Sequence, residues 1–191
     1  MTDEMYARYH QVNLEHWQAY ERNEFTREAM LLHRHQQMFD EYQLDLDPVR
    51  CEQLYRKNLS IGHHFMPHAV EILDYMKPKY RLFIASNGTA ETQYSRLESA
   101  KIGPYFEDIF ISERVGAYKP NPEYFDCCFA QIPGFNREEA VIIGDSLTSD
   151  ILGGKNSGIR TIWFNYYNKP RRPDICPDYE IHSLLELKEL F

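Results

Sequence analysis

A chain of 191 residues, 43% hydrophobic and 26% charged, is long enough to bury a core as one domain, or as a core domain with a small helical one. Its formal charge of −8 argues against non-specific nucleic-acid binding, which needs a basic surface, but leaves small phosphorylated ligands open, because a few local cations and helix N-termini hold those. No apolar run approaches the roughly 18 residues of a membrane span, so no membrane partner is expected.

The opening Met1-Thr2-Asp3-Glu4-Met5 has neither the basic region nor the hydrophobic stretch of a secretory signal. The four cysteines, Cys51, Cys127, Cys128 and Cys176, form no C-x-x-C pair, so reduced thiols and a cytoplasmic location are expected. From about Tyr6 to Asn58 the pattern is helical without strands. Tyr6 to Arg22 is rich in aromatics, and Thr26 is a plausible N-cap for a helix to Tyr42 with Leu31, Met38 and Tyr42 on one face. A third helix opens at Pro48 and carries Val49, Leu54 and Leu59.

After His63-His64 the texture changes to strands and helices in alternation. Ala69, Ile72, Leu73 and Met76 form a helical stripe, followed by a strand from Arg81 to Ala85 and a helix from Ala90 to Ala100. Ile109 to Ile111 is a second strand, and Pro122 opens a helix with Phe125, Cys128, Phe129 and Ile132. A third strand, Val141 to Ile143, precedes a helix near Asp150 to Asn156, and a fourth runs from Thr161 to Phe164. Ser183 and Glu186 make a capping box for a last helix. Short apolar strands separated by helices imply one parallel sheet covered on both faces. The expected organisation is a helical unit on 1–62 and an α/β core on 63–191.

Three polar stations stand at or just beyond strand ends. Ser86-Asn87-Gly88 places a hydroxyl and free backbone amides where a helix begins, which suits a phosphate; an ordinary N-cap and turn is the plainer alternative. Lys119-Pro120 lies in a loop stiffened by Pro120 and Pro122, where a positioned ammonium can neutralise a phosphoryl group or a carboxylate, although a lone loop lysine is commonly a solvated surface charge. Gly144-Asp145 with Asp150 follows an apolar strand and suits Mg²⁺, which takes few carboxylates and keeps its waters. Helix capping is the alternative for Asp150.

In this order the three stations resemble the second, third and fourth motifs of the haloacid dehalogenase-like hydrolase superfamily. The runs Ile111 to Phe125 and Ile151 to Gly158, with Tyr9-His10-Gln11-Val12-Asn13 in the helical part, are similar to its branch of nucleoside 5′-monophosphate nucleotidases. The resemblance covers nearly the whole chain. It implies a Rossmann-like parallel-sheet core with a helical cap that closes over a small phosphorylated substrate. It also implies a Mg²⁺-dependent phosphomonoester hydrolase working through an aspartyl-phosphate. In that scheme Ser86, Asn87 and Gly88 hold the phosphoryl oxygens and Lys119 offsets charge. Asp145 binds Mg²⁺, while Asp150 holds a metal-bound water or orients the loop.

The superfamily's first motif, an apolar strand ending in D-x-D-x-T or D-x-D-x-V and carrying the nucleophile, has no counterpart here. Asp45-Leu46-Asp47-Pro48-Val49 fits by letter, but it follows a polar helical stretch and Asp47 reads as an N-cap. The resemblance therefore implies a chain shortened by a strand, loop and helix of about 30–40 residues, and inactive alone. A non-catalytic phosphate-binding paralogue and a phosphosugar phosphatase or mutase are the alternatives. A metal-free dehalogenase is disfavoured, since Asp145 and Asp150 supply acids for a metal. His33 and His35 lie two apart on a helix and are poor joint metal ligands, Tyr166 and Tyr167 read as strand-end packing, and Lys169-Pro170-Arg171-Arg172-Pro173 reads as an exposed turn.

Overall fold

The computed structural model describes residues 2–191. The chain divides into two compact units, Met1–Ile61 and Gly62–Phe191.

The first unit holds three helices, α1 (Asp3–Glu21), α2 (Arg27–Glu41) and α3 (Pro48–Ile61). Thr2 and Thr26 cap the first two, their hydroxyls accepting from Met5 N and Ala29 N. Pro48 begins α3, where a missing N–H costs nothing, and Asp47 Oδ1 accepts from Val49 N at 2.9 Å. Asp45 and Asp47 therefore lie in an irregular linker between helices, as expected, and not on a strand.

Val12, Met38 and Phe39 form the apolar centre of this unit, beside a buried charge cluster. Glu52, 2% exposed, accepts from Arg34 Nη2 at 2.6 Å, His35 Nε2 at 2.8 Å and Arg56 Nε at 2.8 Å. Burial by itself pushes the Glu52 carboxyl up, but the hydrogen bonds from His35 and Arg34 and the charge of Arg34 outweigh it and hold the pKa at about 2.

In the second unit α4 (Ala69–Met76) precedes β1 (Phe83–Ser86), α5 (Ala90–Ala100) and β2 (Asp108–Ile111). Then come α6 (Ser112–Val115), α7 (Pro122–Ala130), β3 (Val141–Gly144), α8 (Leu152–Asn156), β4 (Arg160–Phe164), β5 (Tyr179–Ile181) and α9 (Leu187–Leu190). Every strand pair is parallel: β1 with β2, β3 with β4 and β4 with β5. This is the mixed α/β, Rossmann-like architecture implied above. No helix among the described residues is long and apolar enough to cross a membrane.

The detail departs from expectation in four places. The single expected sheet is two ladders, β1–β2 and β3–β4–β5, because no described strand offers backbone partners to both β1 and β3. Ile143 of β3 is correspondingly 36% exposed. The first strand starts at Phe83 rather than Arg81, and β5 is a strand of three residues that shows too little alternation to be read. The helix expected near Asp150 is preceded by a π-helical turn, Leu147–Ile151. Ser146 causes this: its Oγ accepts from Ser149 N at 3.2 Å, and its carbonyl accepts from both Asp150 N at 3.0 Å and Ile151 N at 3.1 Å.

The core lies against the helix-covered strands, with Phe110, Tyr124, Phe125, Cys128 and Ile142 in one cluster and Ile72, Met76, Ile162, Ile181 and Leu187 in another. Tyr124 is fully buried and satisfies its hydroxyl by donating to Phe110 O at 2.7 Å. Helix α8 packs closely enough that a Cβ on Gly154 would stand 2.5 Å from Ile142 Cγ2, which brings the turn before it down onto the end of β3.

Candidate active site

Ser86 closes β1 and Gly144 closes β3, both at carboxyl ends, where parallel sheets gather ligands. Lys119 comes from the loop between α6 and α7. Its backbone is gripped from both sides by the Asn87 side chain, with Lys119 N donating to Oδ1 at 3.0 Å and Nδ2 donating to Lys119 O at 2.8 Å. Its ammonium donates to Ala85 O at 2.6 Å and to Asp150 Oδ1 at 2.6 Å. The two side chains of this ion pair are only 7% and 10% exposed.

Asp150 uses its other oxygen, Oδ2, to accept from Ser146 N at 3.1 Å. A Cβ on Gly144 would fall 2.2 Å from that oxygen, so the glycine before Asp145 makes room for Asp150. The three stations thus meet: the lysine touches the residue before Ser86 and pairs with the acid lying on Gly144.

Ser86 Oγ accepts from Gly88 N at 3.0 Å and turns the chain out of β1. Gly88 leaves space for Gln93, whose Nε2 lies 2.3 Å from where a Cβ would be. One amide at the start of α5, Ala90 N, is already taken by Glu113 Oε2 at 2.6 Å. Helix α5 therefore offers a ligand fewer free donors than a bare N-terminus would.

Asp145 stands apart from the buried pair. Its side chain is 71% exposed and its Oδ2 lies 3.2 Å from Lys169 Nζ, while its backbone carbonyl accepts from Trp163 Nε1 at 3.1 Å. The structure brings Asn87, Lys119 and Asp150 into direct contact; the Ser86 hydroxyl and the Asp145 carboxylate make separate contacts, with Gly88 and Lys169.

Among the described residues no group of three or more His, Cys, Asp or Glu is placed to hold a metal. Both oxygens of Asp150 are engaged, which leaves the exposed Asp145 carboxylate as the available acid. One carboxylate with waters is within what Mg²⁺ accepts, so the donor set fits a sparse site of that kind.

Lys169 is the site residue that sequence reasoning missed. The segment from Lys169 is exposed, as expected of a turn, but it also delivers an ammonium to Asp145. The available signal was Asn165, directly after β4 at the ligand-gathering end, with a side chain suited to closing a turn. Tyr167 is 70% exposed and meets Tyr166 edge to face at 5.0 Å, so strand-end packing does not describe it.

Residues 2–164 match the family described as haloacid dehalogenase-like hydrolase. The chain is 40% identical over 187 residues to YfnB of Bacillus subtilis (strain 168), a protein named as a HAD-hydrolase, covering 98% of this chain and 80% of that one. The YfnB crystal structure, bound to magnesium and described as revealing interdomain movement, superposes with a TM-score of 0.94 at 39% identity, over 100% of this chain and 83% of that one. Two pyrimidine 5′-nucleotidases are also similar. PynA of Streptococcus pneumoniae (strain ATCC BAA-255 / R6) is 32% identical over 90% of this chain and 73% of its own. YjjG of Escherichia coli (strain K12) is 31% identical over 99% and 83%. The chain belongs to the haloacid dehalogenase-like hydrolases.

Proposed function

We propose that this chain serves a Mg²⁺-dependent phosphomonoester hydrolase whose substrates are nucleoside 5′-monophosphates. The observation that carries the reading is the buried ammonium of Lys119, set between Ala85 O and Asp150 and gripped by Asn87 at the strand ends. A fixed cation in a water-poor position stabilises charge that develops on a transferring phosphoryl group, without reorganisation at the moment of reaction. The likeness to two pyrimidine 5′-nucleotidases supports the nucleotide as substrate.

In this reading the Ser86 hydroxyl, which accepts from Gly88 N, donates its own proton to a phosphoryl oxygen, and the amides of Asn87 and Gly88 complete the cradle. Asp150 holds Lys119 in place and shapes the Ser146 turn, so its role is to position rather than to ligate. Asp145 would hold Mg²⁺, which when bound neutralises phosphoryl charge. The aspartyl-phosphate route needs a further aspartate at the tip of an apolar strand. Asp45 and Asp47 do not supply it, since Asp47 caps α3, and we assign that role to no residue of this chain.

That same observation favours a second reading, phosphate binding without turnover. Both are tested by assaying the chain with Mg²⁺ against pyrimidine and purine monophosphates and phosphosugars, alongside calorimetric binding of the same compounds. Turnover of nucleotides abolished by Asp145→Asn supports the hydrolase. Nucleotide binding that Mg²⁺ strengthens and Asp145→Asn weakens supports the hydrolase reading even without turnover. Binding indifferent to Mg²⁺ and to Asp145→Asn selects the second reading, a preference for phosphosugars replaces the substrate class, and the absence of both binding and turnover sinks both readings.

A further inference from the structure

We infer that Lys169 is a built-in counter-cation for Asp145, one that a divalent metal must displace or bind against. The inference rests on the reading of Asp145 as the metal-binding acid. An exposed lysine near an exposed aspartate is ordinarily incidental, and here the two side chains are 42% and 71% exposed.

What sets this pair apart is how both ends are fixed. Asn165, 3% exposed, closes a turn on Lys169, with Lys169 N donating to its Oδ1 at 2.7 Å and its Nδ2 donating to Lys169 O at 3.0 Å. Asn165 is itself riveted to the sheet end: its N–H donates to Ile181 O at 2.8 Å, its Nδ2 also to Glu180 Oε1 at 2.7 Å, and its carbonyl lies 2.9 Å from His182 Nδ1. On the other side the buried Trp163 indole donates to Asp145 O. β4 and its exit turn therefore set where both members of the pair leave the backbone.

The consequence is electrostatic. Asp145 Oδ2 lies 3.2 Å from the Lys169 ammonium, which offsets part of its charge. An incoming dication meets a partly neutralised acid and a neighbouring positive charge, so Lys169 weakens metal binding. A lysine that merely oriented Asp145 would have the opposite effect on affinity.

The test is Mg²⁺ affinity of the full chain, read by Trp163 fluorescence in a Trp17→Phe background and by calorimetry. Trp17 is the other of the two tryptophans, so the background leaves Trp163 as reporter. Lys169→Met is expected to bind Mg²⁺ about two- to five-fold more tightly, the range an exposed ion pair commands, and Lys169→Arg to stay near wild type. The gap between Lys169→Met and wild type narrows as KCl is raised, because salt screens exposed charges. Equal or weaker binding by Lys169→Met, with Asp145→Asn abolishing binding in both backgrounds, overturns the inference and leaves the metal reading standing. No saturable Mg²⁺ binding by wild type or Lys169→Met overturns both.

Discussion

Replacing Asp150 with Asn probes the buried pair on which the site depends. Breaking a buried ion pair by neutralising one partner costs about 3–5 kcal/mol, because the other charge stays buried. Lys119 keeps its bond to Ala85 O, which places the expected loss at the lower end, about 3 kcal/mol. Asparagine retains one oxygen for two donors, Lys119 Nζ and Ser146 N, so one of them faces its amide. Lys119→Met leaves Asp150 with Ser146 N alone and is expected to cost a similar amount.

The double variant leaves no charge unpaired. Independent sites would lose about 6 kcal/mol; a coupled pair loses about 3, a coupling of about 3 kcal/mol. Urea titration followed by Trp163 fluorescence in the Trp17→Phe background reads this directly. With a slope of about 2 kcal/mol per M, each single variant lowers the midpoint by about 1.5 M. A loss below about 0.5 kcal/mol for Asp150→Asn, or an additive double variant, refutes the view that these groups act as one buried unit.

Gly144→Ala drives a methyl group into the Asp150 carboxylate and is expected to destabilise by about 1–3 kcal/mol in the same titration. Asn87→Ala removes both bonds that grip the Lys119 backbone; at about 0.5–1.5 kcal/mol each the loss is about 1–3 kcal/mol, accompanied by weaker nucleotide binding in the calorimetric titration. Glu52 titrates at about 2 in the folded chain against 4.5 ordinarily, so its contribution is full above about pH 4.5 and is lost as pH falls toward 2. That amounts to about 3 kcal/mol, and Glu52→Gln should flatten the acid limb of a plot of urea midpoint against pH.

Much of the molecule was readable along the chain. The caps at Thr26 and at Ser183 with Glu186, the start of α3 at Pro48 and the strand-then-helix texture after His63 each depend on a handful of consecutive residues. The three polar stations were readable for the same reason: each is a short run, two of them at strand ends and Lys119-Pro120 in the proline-stiffened loop before α7. Folding decided how they combine. Asn87 grips Lys119 across 32 residues, Lys119 pairs with Asp150 across 31, and Lys169 reaches Asp145 across 24. Nothing local marks Lys169 as different from Arg171, and nothing in α3 announces that Glu52 gathers three donors, two of them from another helix. Backbone preference is set by the nearest few residues, but burial, and with it the strength of a charge, is set by which distant strand ends the crossovers bring together.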